Sequence, residues 1–270
     1  PNALHDIEAL AAQRGVLMLD DAAQSLGAKL NGRAVGGFGD AGLYSFDKGK
    51  NITTIQGGAI VAAAALAQAM ERRWQALPAA SIVETLSLSA KMLVYAALLR
   101  PTLYGVVHRM PFLGLGRTAY ETRYPIARYS RALANLAQRQ YRRLDSLNAV
   151  RVSNATRLRE ALSQARGVTM PRLLPGAEPV FARFPLFVTN PALRADLVNA
   201  LDAAGIGATT SYPSALADVP EVAAMVPAQD LHTPGARQVA NTIVTLPTHG
   251  YCPADLAARA AKLVSQQLDR

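Results

Sequence analysis

Asp21-Ala22-Ala23-Gln24 follows one apolar run, and Ser45-Phe46-Asp47-Lys48-Gly49-Lys50-Asn51 follows another. Between them the two stretches supply a carboxylate, an amide, a hydroxyl and an amine, each just past a predicted strand. An amine can form a Schiff base with an aldehyde. A carboxylate can keep a pyridine nitrogen protonated, so that the ring accepts an electron pair, and small polar groups can hold a phenolic oxygen and a phosphate. Pyridoxal phosphate needs that set of partners. Each residue also has a plainer reading. Asp21 could cap a helix, and Gln24 could be a solvated amide. Ser45 could bond to its own backbone, and Lys50 could be one more exposed loop lysine. The spacing of the four together favours the chemical reading.

The elements that must position them follow from pattern. Val16-Leu17-Met18-Leu19 is a short apolar run ending in acids, which predicts a strand buried on both faces of a parallel sheet. Before it, Ile7 to Gln13 reads as a helix closed by Arg14-Gly15. Asp20 and Asp21 then fall at a strand's carboxyl end, where open α/β sheets bind ligands. Gly42 to Phe46 reads as a second buried strand with Lys50 on the loop beyond it. Gly57-Gly58 is a tight turn into a third strand, Ala59-Ile60-Val61-Ala62.

These stretches resemble the DegT/DnrJ/EryC1/StrS group of pyridoxal-phosphate-dependent sugar aminotransferases. The matching residues are Leu19 to Ala28, Tyr44-Ser45-Phe46 through Lys50 to Thr54, and Gly57-Gly58. Gly205-Ile206 with Tyr212-Pro213, and Thr245-Leu246-Pro247-Thr248-His249, are similar to later family segments. The resemblance implies an α/β fold of type I, the aspartate aminotransferase-like architecture. It would comprise a partial large domain with a mostly parallel sheet over residues 1–165, with a helical insertion at about 75–125. A smaller α+β domain would follow over 166–270. It implies that Lys50 carries the Schiff base and moves protons, that Asp21 pairs with the pyridine nitrogen, that Gln24 lies by the ring and that Ser45 binds phosphate. The implied activity is transfer of an amino group from an amino acid, glutamate by expectation, to a keto sugar on a nucleotide carrier, for polysaccharide or amino-sugar synthesis. A homodimer is implied as well.

The chain departs from the family pattern at several places. Gln56 stands where the family has Glu, and Asp47 where its members commonly have His. The family's Asn-x-Arg segment, which reaches the cofactor phosphate of a neighbouring subunit, matches Ile126-Ala127-Arg128, so Arg128 is kept and the Asn is not. Ser214 to Ala217 lacks the family's His. Two rival readings therefore stand beside the aminotransferase. One is a dehydratase acting on a keto-deoxy sugar, against which Lys50 argues, because relatives with that activity have His there. The other is a catalytically lapsed scaffold or regulatory protein. The family's first helices and strands precede Pro1, so this stretch alone is expected to bind cofactor poorly and to be inactive.

Composition sets outer bounds. A chain of 270 residues that is 50% hydrophobic can bury a large core and is not disordered. One cysteine, Cys252, excludes an internal disulfide and fits a reducing compartment, and with no secretory signal the expectation is cytoplasmic. His5, His108, His232 and His249 have no metal-ligand spacing, so no metal is expected. The net charge of +9 includes Arg131, Arg139, Arg142 and Arg143 on one predicted helix, without interleaved aromatics, which reads as a solvated face and not as a nucleic-acid site. Gly36-Gly37-Phe38-Gly39 reads as a turn that sets the next strand. Ser81 to Leu99 reads as an amphipathic helix ended by Pro101, followed by an apolar loop at Met110 to Gly116. The plain reading of that insertion is packing within the dimer or over the active-site mouth; the other is shallow contact with a membrane. Further on, Ser130 to Leu162 reads as one long helical stretch. Phe181 to Val188, a segment near Ile206 and Thr242 to Leu246 read as strands, and Pro191 to Ala204 and Ala254 to Leu268 as helices.

Overall fold

Asp20 and Asp21 end a strand of three residues, and strand alternation sends their side chains to opposite faces. In the computed structural model, which describes residues 3–98 and 126–268, that strand organises the first of two units. Of the described residues, this unit comprises 3–98, 126–152 and 172–182, and the second comprises 153–171 and 183–268.

In the first unit, helix α1 (Leu4–Arg14) stops at Gly15, which takes a left-handed conformation and donates to the carbonyls of Ala11 and Ala12. Strand β1 (Leu19–Asp21) follows. Strands β2 (Lys29–Leu30) and β3 (Arg33–Ala34) form a hairpin whose turn, Asn31-Gly32, has both residues at positive φ. Strand β4 (Ala41–Ser45) pairs in parallel with β1, setting Asp21 beside Leu43. Strand β5 (Gly58–Ala62) pairs antiparallel with β4, setting Ser45 beside Gly58. The sheet order is β1-β4-β5. Helices α2 (Ala64–Ala76), α3 (Ile82–Leu98) and α4 (Arg131–Tyr141) follow, and then α5 (Leu144–Ala161), whose first half belongs to this unit.

Three expectations change here. Val16-Leu17-Met18-Leu19 was expected to be buried on both faces. The strand instead begins at Leu19, and Val16, Leu17 and Leu19 are exposed while Met18 alone is buried. The third strand runs antiparallel, because the 46–57 loop turns back beside β4 without crossing the sheet. The stretch from Ser130 is two helices, parted at Arg142-Arg143. The expected end of that helix at Pro101 and the apolar loop at 110–116 lie outside the described residues.

The core of this unit lies on the Asp20 side of β1. Leu4, Met18, Ala22, Leu30, Val35 and Phe38 form it. Asp20 is buried but accepts from the backbone N–H of Gly36 at 2.6 Å and of Phe38 at 3.3 Å. Glu8 accepts from Gly39 N–H at 2.7 Å and pairs through both oxygens with Arg33 at 2.8 and 2.9 Å. The glycine-rich turn is therefore held by carboxylates on both sides. A second small cluster joins Ile55, Leu88 of α3 and Leu133 of α4.

The second unit has an antiparallel sheet of β6 (Val168–Thr169), β8 (Phe184–Val188) and β9 (Ile243–Leu246), in the order β6-β8-β9. Strand β7 (Ala177–Glu178) belongs to the first unit, paired with β2. Helices α6 (Arg194–Ala203), α7 (Pro220–Ala223), α8 (Pro234–Thr242) and α9 (Leu256–Leu268) complete it. Leu186, Val244, Leu197, Leu201 and Val264 are buried in its core. The expected strand near Ile206 is not formed; Thr209 makes an isolated bridge to Thr245 instead.

Candidate active site

Leu19, Asp21, Leu43, Ser45 and Ile60 alternate onto one face of the β1-β4-β5 sheet, opposite the core face. Leu19 and Ile60 are exposed there, so Asp21 and Ser45 share a face open to solvent at the carboxyl end of the parallel pair. No helix follows for Asp21 to cap. Its Oδ1 accepts from Ala23 N–H at 2.9 Å, which turns the chain sharply after the strand. Ser45 Oγ accepts from Asp47 N–H at 3.3 Å, the local bond of the plainer reading. Gln24 is exposed two residues past Ala22.

Lys50 sits in the loop between β4 and β5 and is half-buried, whereas Lys48 in the same loop is exposed. Burial holds the Lys50 ammonium below the usual lysine range, and the carboxylates of Asp47 and Asp21 oppose that by favouring its charge. The structure thus brings Lys50, Asp47 and Asp21 within electrostatic reach of one another.

The loop is closed at its neck. Phe46 N–H donates to Gly57 C=O at 2.9 Å, and Thr54 N–H donates to Phe46 C=O at 2.8 Å. Thr53 exchanges two bonds with the Gln140 amide of α4, at 3.0 and 2.7 Å. Asn51 donates to Asn148 Oδ1 at 2.6 Å, and Asn148 donates onward to Leu26 C=O at 3.1 Å. That relay ties the Lys50 loop to the turn after Asp21 through the start of α5. Gly27, beside Leu26, is at φ +90, and a side chain there would run into the Asn148 amide. Thr54 Oγ1 bonds to the Tyr129 hydroxyl, and the Phe46 and Tyr129 rings lie 6.1 Å apart.

Arg128 lies beside the end of α2, and its expected role toward a neighbouring subunit's cofactor is not one that a single chain displays. Its backbone N–H donates to Pro78 C=O at 2.8 Å, its guanidinium lies 5.6 Å from the Trp74 ring, and its buried Nε has no hydrogen-bond partner. Gln56 Nε2 reaches Glu84 Oε1 of α3 at 3.4 Å. Among the described residues no cluster of histidine, cysteine or acid side chains could hold a metal.

Gln140 and Asn148 escaped the motif reading because no motif contains them. A signal was present: Asn148 lies four residues after the buried Leu144, on the inward face of its helix, where an amide needs a partner.

The model of the DegT/DnrJ/EryC1/StrS aminotransferase family matches residues 1–93 and 117–264. A dTDP-3-amino-3,4,6-trideoxy-alpha-D-glucose transaminase of Streptomyces venezuelae is 25% identical over 271 residues, covering 100% of this chain and 61% of that protein. A UDP-N-acetyl-3-dehydro-alpha-D-glucosamine 3-aminotransferase of Acidithiobacillus ferrooxidans is 41% identical over 64 residues, covering 24% of this chain and 17% of that protein. The solved structure of S. venezuelae DesV superposes with a TM-score of 0.69 at 23% identity, covering 100% of this chain and 62% of that one. The chain thus spans about three fifths of the length of the relatives that it matches end to end.

Proposed function

Because the chain belongs to the DegT/DnrJ/EryC1/StrS aminotransferase family, we propose that the protein is a pyridoxal-phosphate-dependent aminotransferase acting on a nucleotide-linked keto sugar. The amino donor in this reading is an amino acid, glutamate first. The family and both relatives described above support it, since each relative is named for a nucleotide sugar. In the same reading the protein is a cytoplasmic homodimer that serves polysaccharide or amino-sugar synthesis.

The observation that carries the proposal is the Lys50 environment. A half-buried amine with a depressed pKa faces two carboxylates at the carboxyl end of a parallel strand pair. The donor set fits the cofactor: an amine for its aldehyde, the Asp21 carboxylate for its pyridine nitrogen, and the Ser45 hydroxyl and Gln24 amide for its oxygens. Arg128, with its orphaned buried Nε, is suited to an anionic oxygen. When bound, the cofactor supplies an electron sink for the carbon that bears the transferred nitrogen.

The chain's own part is positioning and proton transfer. Desolvation keeps a larger share of Lys50 Nζ unprotonated near neutrality than an exposed lysine would have, so Nζ can take a proton and return it. Asp47 and Asp21 limit the depression, so that Nζ remains basic enough to do so. The Asn51–Asn148 relay and the Thr53–Gln140 clasp hold the loop so that Nζ keeps one position.

The test uses the full-length protein incubated with pyridoxal phosphate, reduced with borohydride and mapped by peptide mass. A tag at Lys50 supports the proposal. No tag, or one spread over the five lysines of this stretch without preference for Lys50, overturns it. A second reading, a scaffold that binds cofactor without turnover, draws on Ile126 and on Ser214 to Ala217, where the family's Asn and His are replaced. Glutamate-dependent loss of the cofactor's aldehyde absorbance would exclude that second reading.

A further inference from the structure

Ile55 stands at φ +73, five residues after Lys50. Branching at Cβ makes the left-handed region costly for isoleucine, whereas glycine takes it freely. The same loop uses glycine for that conformation elsewhere, with Gly49 at φ +78 and Gly57 at φ +99. Three non-glycine residues among those described take positive φ, and Ile55 is the one branched at Cβ. A costly conformation of this kind persists where its surroundings hold it.

The side chain gives the reason for isoleucine. It is 7% exposed and lies in one apolar cluster with Leu88 of α3 and Leu133 of α4. The backbone around it is tied as well. Ile55 N–H donates to Thr53 Oγ1 at 3.1 Å, and that hydroxyl donates to Phe46 C=O at 3.1 Å. The limb returning from Lys50 is therefore fastened to Phe46, where the loop leaves β4. Gln56, next in the chain, reaches Glu84 of α3.

We propose that Ile55 is a positioning residue for Lys50: its side chain pegs the returning limb of the loop against α3 and α4, and so holds the Lys50 amine in its half-buried place. The inference rests on the role proposed for Lys50 above. A turn alone would not need the side chain, because glycine makes it without strain. A core contact alone would not need the left-handed backbone. Both demands at one residue fix the direction of the limb as well as its place. The polar ties from Gln140 to Thr53 and from Asn148 to Asn51 come from α4 and α5. Ile55 adds the tie to α3, a helix that supplies no side chain to the proposed cofactor set.

The test reads Lys50 in the full-length protein without added cofactor, by competitive acylation across a pH series and peptide mass. Burial lowers the Lys50 pKa, and Asp47 and Asp21 raise it. Releasing the peg admits water and removes part of the burial. The Lys50 midpoint should therefore move up by about half to one pH unit in Ile55→Gly. Leu88→Ala leaves the backbone of the loop unaltered and should move the midpoint the same way. Ile55→Val keeps a branched apolar side chain and should keep the wild-type midpoint. Cooperative melting shows which variants are folded, and if Ile55→Gly is not, Leu88→Ala decides alone. A wild-type midpoint in folded Ile55→Gly overturns the proposal. So does a shift in Ile55→Gly with none in Leu88→Ala, which excludes α3 as the anchor. Borohydride reduction of the cofactor-treated wild type separates the two readings. Absence of a Lys50 tag there defeats the aminotransferase reading, while the midpoint series still reads the peg.

Discussion

Gly57 and Tyr129 are matched to each other: Gly57 is at φ +99, and a Cβ there would run into the Tyr129 ring. The ring therefore occupies the place of the missing side chain, while its hydroxyl bonds to Thr54 four residues after Lys50. Gly57→Ala meets both the left-handed backbone penalty and the clash. We expect it to lower stability by about 1–3 kcal/mol, read by urea unfolding. Unchanged stability would mean that Tyr129 yields freely and does not fix the loop.

Asn148→Ala should leave the Asn51 amide without its acceptor and Leu26 C=O without its donor. The expected loss is about 1–3 kcal/mol. Cofactor retention at Lys50 should fall with it, because the relay joins the two loops of the site. Asn148→Asp keeps an acceptor for Asn51 but sets a buried carboxylate oxygen against Leu26 C=O, so it should cost at least as much as alanine. Unchanged stability in both variants would refute the relay.

The pH behaviour of Lys50 follows from its surroundings. Burial depresses its pKa, so its free amine should appear at lower pH than that of a fully solvated lysine. Competitive acylation across a pH series, read by peptide mass, should show Lys50 reacting first as pH rises. Asp47→Asn removes a charge that raises the pKa, so the Lys50 onset should move to still lower pH. A shift upward would contradict the assigned sign.

The Glu8 carboxyl lies below the usual carboxylate range, chiefly through its bonds to Arg33 and then to Gly39 N–H. A depressed carboxyl stabilises the fold above its ordinary unfolded pKa, and the gain is lost as pH falls through the folded value. Stability measured by urea midpoint should therefore drop on the acid side, and Glu8→Gln should flatten that limb. Because the pair is largely exposed, the effect should shrink in high salt.

The placement of Asp21 and Ser45 at strand ends, with Lys50 on the loop beyond, was legible because a short apolar run followed by polar residues marks where a strand stops. The α1 stop at Gly15 was legible because left-handed backbone favours glycine. The exposure of Val16, Leu17 and Leu19 was not legible, because an apolar run states a preference for burial and not whether anything lies on it. The reversal of β5 depends on the path of the 46–57 loop, and no local propensity encodes that path. Asn148 acts across 97 positions, and such pairings leave no mark in any window of sequence.

That separation has a consequence in time. The Lys50 loop takes its last tether from a residue made 97 positions later. At about 5–20 residues per second of synthesis, the nascent loop waits roughly 5–20 s before Asn148 emerges. During that interval Lys50 is an ordinary loop lysine to any aldehyde that meets it. Selective loading of the amine therefore belongs to the period after α5 has left the ribosome.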